Sequence, residues 1–148
     1  MRIRPATRAE LPSILAIEQA SETAPHWSEA VYLQAFETTA RCLLVAEADA
    51  ICGYAVGSLM GGEAELESVA VDREFRRHGV GRQLCAAVID WARAGGARSI
   101  TLEVRAGSAG AIALYRSLGF RPAGRRPGYY ADPFDDALIQ RLDNLQSD

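Results

Sequence analysis

The hydrophobic pattern of residues 66–91, LESVAVDREFRRHGVGRQLCAAVIDW, changes period part-way along. It opens as an apolar run ending Val69-Ala70-Val71, with the composition of a strand. Beyond a turn through residues 72–77, apolar residues recur at Val80, Leu84, Val88 and Trp91, the spacing of one helix face. The changeover contains Arg76-Arg77-His78-Gly79-Val80-Gly81. Two glycines one residue apart let backbone approach a ligand closely, and the free N–H groups of a helix start favour an anion. The neighbouring arginines and histidine strengthen that preference. Strand, basic glycine turn and helix together make a phosphate cradle, although a turn merely capped by glycine and arginine would read the same way.

Two other phosphate motifs fail on spacing. A Walker loop closes on Gly-Lys-Ser/Thr, and Gly81-Arg82-Gln83 does not. A dinucleotide fingerprint needs a third glycine where Leu84 stands.

The chain has 148 residues, enough for one domain (1–148) with a real core. A net charge of −3 argues against general nucleic-acid binding, so any anion site must be local. Cys42, Cys52 and Cys85 are odd in number and widely spaced. With only His26 and His78 beside them they make neither a disulfide framework nor a metal site. Three reduced thiols packed as small apolar groups fit a cytoplasmic protein. No long apolar segment follows Met1-Arg2, so neither a signal peptide nor a membrane association is expected.

Along the chain, Ile3 and its neighbours can form a first strand. Thr7-x-x-Glu10 reads as a capping box before Leu11, Ile14, Leu15 and Ile17, with Pro12 blurring the helix start. That helix should end near Ala20. Ser28 can cap a second, running to about Phe36. Residues 42–46 and 51–59 read as an antiparallel hairpin, Gly61-Gly62 as a break, and residues 99–104 as a strand. Residues 109–118 read as a helix stopped by Gly119, followed by two closing strands and a frayed tail over residues 143–148. The order is strand, two helices, three strands, helix, strand, helix, two strands. It describes an α/β (α+β) domain with a mixed, mostly antiparallel central sheet, about four helices and one strand-helix-strand crossover.

Several motifs now fall in sequence: Arg76-x-x-Gly79-x-Gly81, then Leu102-Glu103-Val104-Arg105, then Ala111-Ile112-Ala113-Leu114-Tyr115-x-x-x-Gly119-Phe120, then Gly128-Tyr129-Tyr130, with Trp27-Ser28 near the start. The set resembles the GNAT superfamily of N-acetyltransferases, and within it the RimI-type branch of bacterial enzymes acting on the N-terminal alanine of a ribosomal protein. The resemblance implies a V-shaped splay in the central sheet. It implies acetyl-CoA as cosubstrate, with pantetheine along Val69, Ala70 and Val71. The pyrophosphate would rest on Arg76, Arg77, His78, Gly79, Val80, Gly81 and Arg82. Ser108 stands where relatives carry a cofactor-contacting asparagine, and its shorter side chain implies a weaker contact. Gly128 also departs from the usual asparagine. No metal is implied.

The chemistry the resemblance implies is attack of a neutral amine on a thioester carbonyl. Glu103 would be the base and Tyr115 the acid that protonates the leaving thiolate. Read alone, Glu103 alternates with Ile100, Leu102 and Val104 as a solvated strand position does, and Tyr115 has the spacing of a packed aromatic. Glu67, and after it Glu65, compete for the role of base, since alternation puts both on the face of Val69 and Val71. The acceptor implied is a protein or peptide N terminus, a ribosomal protein among the candidates, chosen by the region around Trp27 and Tyr129-Tyr130. The alternatives are a small amine or lysine side chain, or an acyl-CoA-binding module without turnover.

Overall fold

The computed structural model describes residues 1–21 and 24–146. Its strands are β1 (Arg2–Pro5), β2 (Arg41–Glu47), β3 (Ile51–Met60), β4 (Glu63–Val71), β5 (Ser99–Arg105), β6 (Arg121–Ala131) and β7 (Phe134–Leu142). Its helices are α1 (Leu11–Ala20), α2 (Glu29–Ala35), α3 (Val80–Ala94) and α4 (Ala109–Ser117). The strands form one sheet in the order β1-β2-β3-β4-β5-β7-β6, with every pairing antiparallel except β4 with β5. This is the mixed sheet and the element order expected. None of the helices among the described residues is long and apolar enough to cross a membrane.

Two cores sandwich the sheet. On one face α3 lays Val80, Leu84, Cys85, Val88 and Ala92 against Leu66, Ile100 and Leu102. On the other, Leu11, Ile14 and Ile17 of α1 and Tyr32 of α2 cover Leu43, Val45, Tyr54 and Val56. All three cysteines are buried free thiols, and burial pushes Cys42 up to about 11 and Cys85 to about 12.

Local details differ from the sequence reading for identifiable reasons. A 3₁₀ turn over Arg8–Glu10 precedes α1, so Pro12 falls in the helix's first turn, where its missing N–H costs nothing. The expected capping box is present, and in it the Glu10 carboxylate accepts from Thr7 N–H at 2.8 Å. It is also held by Arg4, which lowers its pKa to about 2. Ser28 sits at the N-cap of α2 without a side-chain capping bond, and the first turn closes by Val31 N–H donating to Ser28 O. The tail is docked, not frayed, as far as Gln146. Leu145 is buried, and the Gln146 amide donates to Arg93 O and Ala97 O, carbonyls at the end of α3. Of the expected tail, residues 147 and 148 lie outside the described residues.

Candidate active site

The parallel pairing of β4 with β5 is short. It runs Glu63↔Ser99, Ala64↔Ile100, Glu65↔Thr101 and then stops. Beyond Glu65 one edge of β4 still pairs with β3, while the other edge has no strand partner among the described residues. Such an edge offers rows of backbone N–H and C=O groups to an extended ligand. The expected splay is therefore present, and Val69, Ala70 and Val71 lie along it.

A groove of about 570 Å³ opens on the α3 side of the splay. Val69, Ala70, Val71, Arg76, Arg77, Gly79, Val80, Gly81 and Arg82 line it from one wall, and Gly110, Ala111, Leu114 and Tyr115 of α4 from the other. His78 is exposed and does not line it. The turn into α3 is basic and lies along the groove. Arg77 has φ +68° and Gly79 φ +79°, two left-handed residues either side of His78. For arginine that conformation is unfavourable, as at many ligand-holding turns. Among the described residues no side chain caps the start of α3, which leaves its first N–H groups without an internal partner where Gly79, Val80, Gly81 and Arg82 line the groove. Gly81 is required by neither backbone nor packing. A Cβ there would lie 3.7 Å from Val71 and 3.8 Å from Leu114, ordinary contacts. Its missing side chain leaves room on the groove side.

A narrower cleft of about 100 Å³ opens through the same splay on the opposite face. Glu67, Ser68, Glu103, Arg105 and Ser108 line it, together with Tyr130 from β6 and Ala24 and Pro25 from the α1–α2 connection. Ser108 is the N-cap of α4, yet its hydroxyl makes no capping bond there. Val69, Ala111 and Tyr115 line both the groove and the cleft. Tyr115 thus stands at the junction of the two spaces. It is 7% exposed, packs edge-on against Phe120, and burial pushes its hydroxyl pKa well up. The phenol therefore stays protonated through neutral pH.

The three carboxylates considered as bases are placed differently. Glu103 reaches the cleft with its side chain 26% exposed and an ion pair to Arg126 at 3.4 Å. Glu67 also lines the cleft, but Arg41 grips both its oxygens at 2.8 Å. Glu65 is exposed and lines a different depression. Its pKa is raised by desolvation, then by Glu67 and Glu103. The facing of Glu65 and Glu67 corrects the alternation reading. Ser68 pairs with Val56 and Leu66 with Gly57, so Glu67 is the extra residue of a β-bulge. Leu66, Val69 and Val71 all pack on the α3 side, whereas Ser68 and Ala70 pack on the other, with Glu67 beside them.

Sequence reasoning missed a buried polar chain behind the cleft. Glu18, 1% exposed on α1, accepts from the Tyr32 hydroxyl and, at 3.1 Å, from Trp27 N–H. Tyr32 and Tyr54 hydroxyls lie 3.2 Å apart, and Tyr54 and Ser68 hydroxyls 3.4 Å. The available signal was a carboxylate on an apolar stripe, since Glu18 follows Leu11 by seven and Ile14 by four. Trp27 packs at a tilt against Tyr32, ring centroids 5.5 Å apart, and does not line the cleft, and of the paired tyrosines only Tyr130 does. Arg105 lies over the Tyr130 ring at 4.2 Å and donates to Pro133 O at 2.8 Å, fixing the β6–β7 hairpin at the cleft's edge.

The acetyltransferase (GNAT) family profile matches residues 10–120, which span α1 to the end of α4. This chain belongs to the GNAT family. The [ribosomal protein bS18]-alanine N-acetyltransferase of Salmonella typhimurium is 38% identical over 135 residues, 90% of each chain. Among solved structures, the ribosomal-protein-S18-alanine N-acetyltransferase from Escherichia coli superposes with a TM-score of 0.86 at 34% identity, covering 97% of this chain and 93% of that one. A ribosomal-protein-alanine N-acetyltransferase from Brucella melitensis gives 0.84 at 30% identity, covering 97% and 99%. The GNAT chain described here is thus an acyltransferase with a groove and a cleft meeting at one tyrosine. Among its described residues no group of three or more His, Cys, Asp or Glu is placed to hold a metal ion.

Proposed function

We propose that this GNAT enzyme takes an acetyl group from acetyl-CoA and transfers it directly to the α-amine of a protein N terminus, a ribosomal-protein alanine being the leading candidate. The observation that carries the reading is the splay itself. It separates β4 from β5 just where Tyr115 joins a basic, elongated groove on one face to a carboxylate-lined cleft on the other. The groove suits the donor: unpaired β4 edge for the pantetheine amides, and the N–H groups of residues 77–82 with Arg76, Arg77 and Arg82 for the pyrophosphate. The cleft suits an amine. The similarity to enzymes named for N-terminal alanine acetylation supports that acceptor.

The chemistry needs one proton off the ammonium and one onto the departing sulfur. Glu103 takes the first, directly or through a water. Arg126 meets it through one oxygen at 3.4 Å, and the side chain reaches the cleft beside that contact. An N-terminal amine, with a pKa of about 7.7–8.0 against about 10.4 for lysine, asks little of that base. Tyr115 supplies the second proton. The residue is buried and lines both spaces, and from that junction its hydroxyl donates a hydrogen bond to sulfur as negative charge develops. Glu67 is a structural partner of Arg41.

A panel of alanine-started peptides, lysine peptides blocked at the N terminus, and polyamines, each with acetyl-CoA, tests the proposal. Turnover is expected on the alanine-started peptides. Turnover confined to polyamines or lysine side chains overturns the N-terminal reading. Tight acetyl-CoA binding with no transfer to any amine overturns catalysis altogether.

A further inference from the structure

The chain Glu18–Tyr32–Tyr54–Ser68 spans α1, α2, β3 and β4 and ends at the cleft. Glu18 Oε2 accepts from Trp27 N–H and from the Tyr32 hydroxyl, which also faces Tyr54 as donor at 3.2 Å. The Tyr54 and Ser68 hydroxyls, 3.4 Å apart, can pair in either direction. Burial pushes the pKa of both tyrosines up, so both stay protonated. The chain thus holds Ser68 from behind, while Ser68 lines the cleft with at least one lone pair of its oxygen to spare.

We propose that Glu18 is a positioning residue: through Tyr32 and Tyr54 it holds Ser68 Oγ in place at the cleft, where that oxygen accepts a hydrogen bond from the acceptor amine. The same carboxylate fixes the cleft's outer wall, because its bond to Trp27 N–H anchors the connection that carries Ala24 and Pro25. The inference rests on the reading that the acceptor amine enters this cleft. It extends that reading, since Glu103 removes the proton while Ser68 sets where the nitrogen lies.

Steady-state kinetics of Ser68→Ala, Ser68→Thr, Tyr54→Phe and Glu18→Gln test it, using whichever amine the wild type acetylates best. Ser68→Ala is expected to raise the acceptor KM about tenfold, the worth of one hydrogen bond to a charged group, with the acetyl-CoA KM unchanged. Ser68→Thr keeps the hydroxyl and is expected to stay near wild type. Tyr54→Phe and Glu18→Gln each raise the acceptor KM by about threefold, and neither adds to Ser68→Ala in a double variant. An acceptor KM within twofold of wild type in Ser68→Ala overturns the proposal, as does an equal rise in both KM values. Should Glu18→Gln fail to fold, Ser68→Ala and Tyr54→Phe still decide it. Wild-type preference for a different amine counts against the N-terminal reading, while the variant-to-wild-type ratio with that amine still judges Ser68.

Discussion

Glu67 and Glu103 face the same cleft from neighbouring strands but hold their arginines differently. Arg41 meets both oxygens of Glu67 at 2.8 Å, whereas Arg126 touches one oxygen of Glu103 at 3.4 Å. A carboxylate with both oxygens occupied is a poor proton acceptor; one with an oxygen to spare is a usable one. Glu103→Gln should therefore cut kcat by at least about 100-fold, the usual worth of a general base. Glu67→Gln should leave the pH–rate profile in place and lower Tm by a few degrees, through loss of a charged hydrogen-bond pair. Stopped or steady-state rates across pH 6–9, with a thermal melt, separate the two. Tyr115→Phe keeps the edge-on packing against Phe120 and loses only the proton. It is expected to lower kcat by about 100-fold or more while acetyl-CoA affinity, measured by calorimetry, stays within about twofold. A large affinity loss with normal saturated turnover would make the tyrosine part of the donor groove only.

The strand–turn–helix element contains two glycines with different reasons to be there. Gly79 has φ +79°, which a side chain resists at about 1–2 kcal/mol, so Gly79→Ala should lower Tm by several degrees. Gly81 has room for a methyl against Val71 and Leu114, so Gly81→Ala should melt like wild type. Its added carbon instead occupies space the donor needs, and acetyl-CoA affinity should fall about tenfold or more. Parallel melts and calorimetry of the two variants show whether structure or ligand reserves each position. An equal Tm loss in both would mean that packing, not ligand, fixes Gly81.

Across the whole molecule, the end of the chain contributes more than its sequence suggests. Leu145 is 4% exposed, and Gln146 closes carbonyls at the end of α3. Truncation after Asp143 removes a buried leucine worth about 1.5–3 kcal/mol and should lower Tm by about 4–10 °C, read by calorimetric melting. Leucine and glutamine in a polar tail give no hint of this, because docking depends on where α3 ends in space. The order of elements was legible, since each helix carries its apolar stripe and each break its glycines. So was the turn into α3, where charge, glycine spacing and a helix start coincide in one short segment. What was not legible depended on pairing between distant segments: where β4 leaves β5, which arginine claims Glu67, and how Glu18 reaches Ser68. Family resemblance placed Glu103 and Tyr115; alternation alone left each with an ordinary structural explanation.

The bulge at Glu67 behaves like a frameshift written in space. Upstream of it the even-numbered residues of β4 read toward α3, and downstream the odd-numbered ones do. Deleting one residue there would restore a single reading frame to the strand. Both halves would keep their layers, because Leu66 and Ser68 already sit opposite the consecutive residues Gly57 and Val56, with Leu66, Val69 and Val71 toward α3 and Ser68 and Ala70 away from it. The fold should thus tolerate loss of Glu67 as a residue as it tolerates loss of its charge: both Glu67→Gln and the one-residue deletion are expected to melt cooperatively, and a deletion that melts without a cooperative transition would show that the bulge itself holds the strand in place.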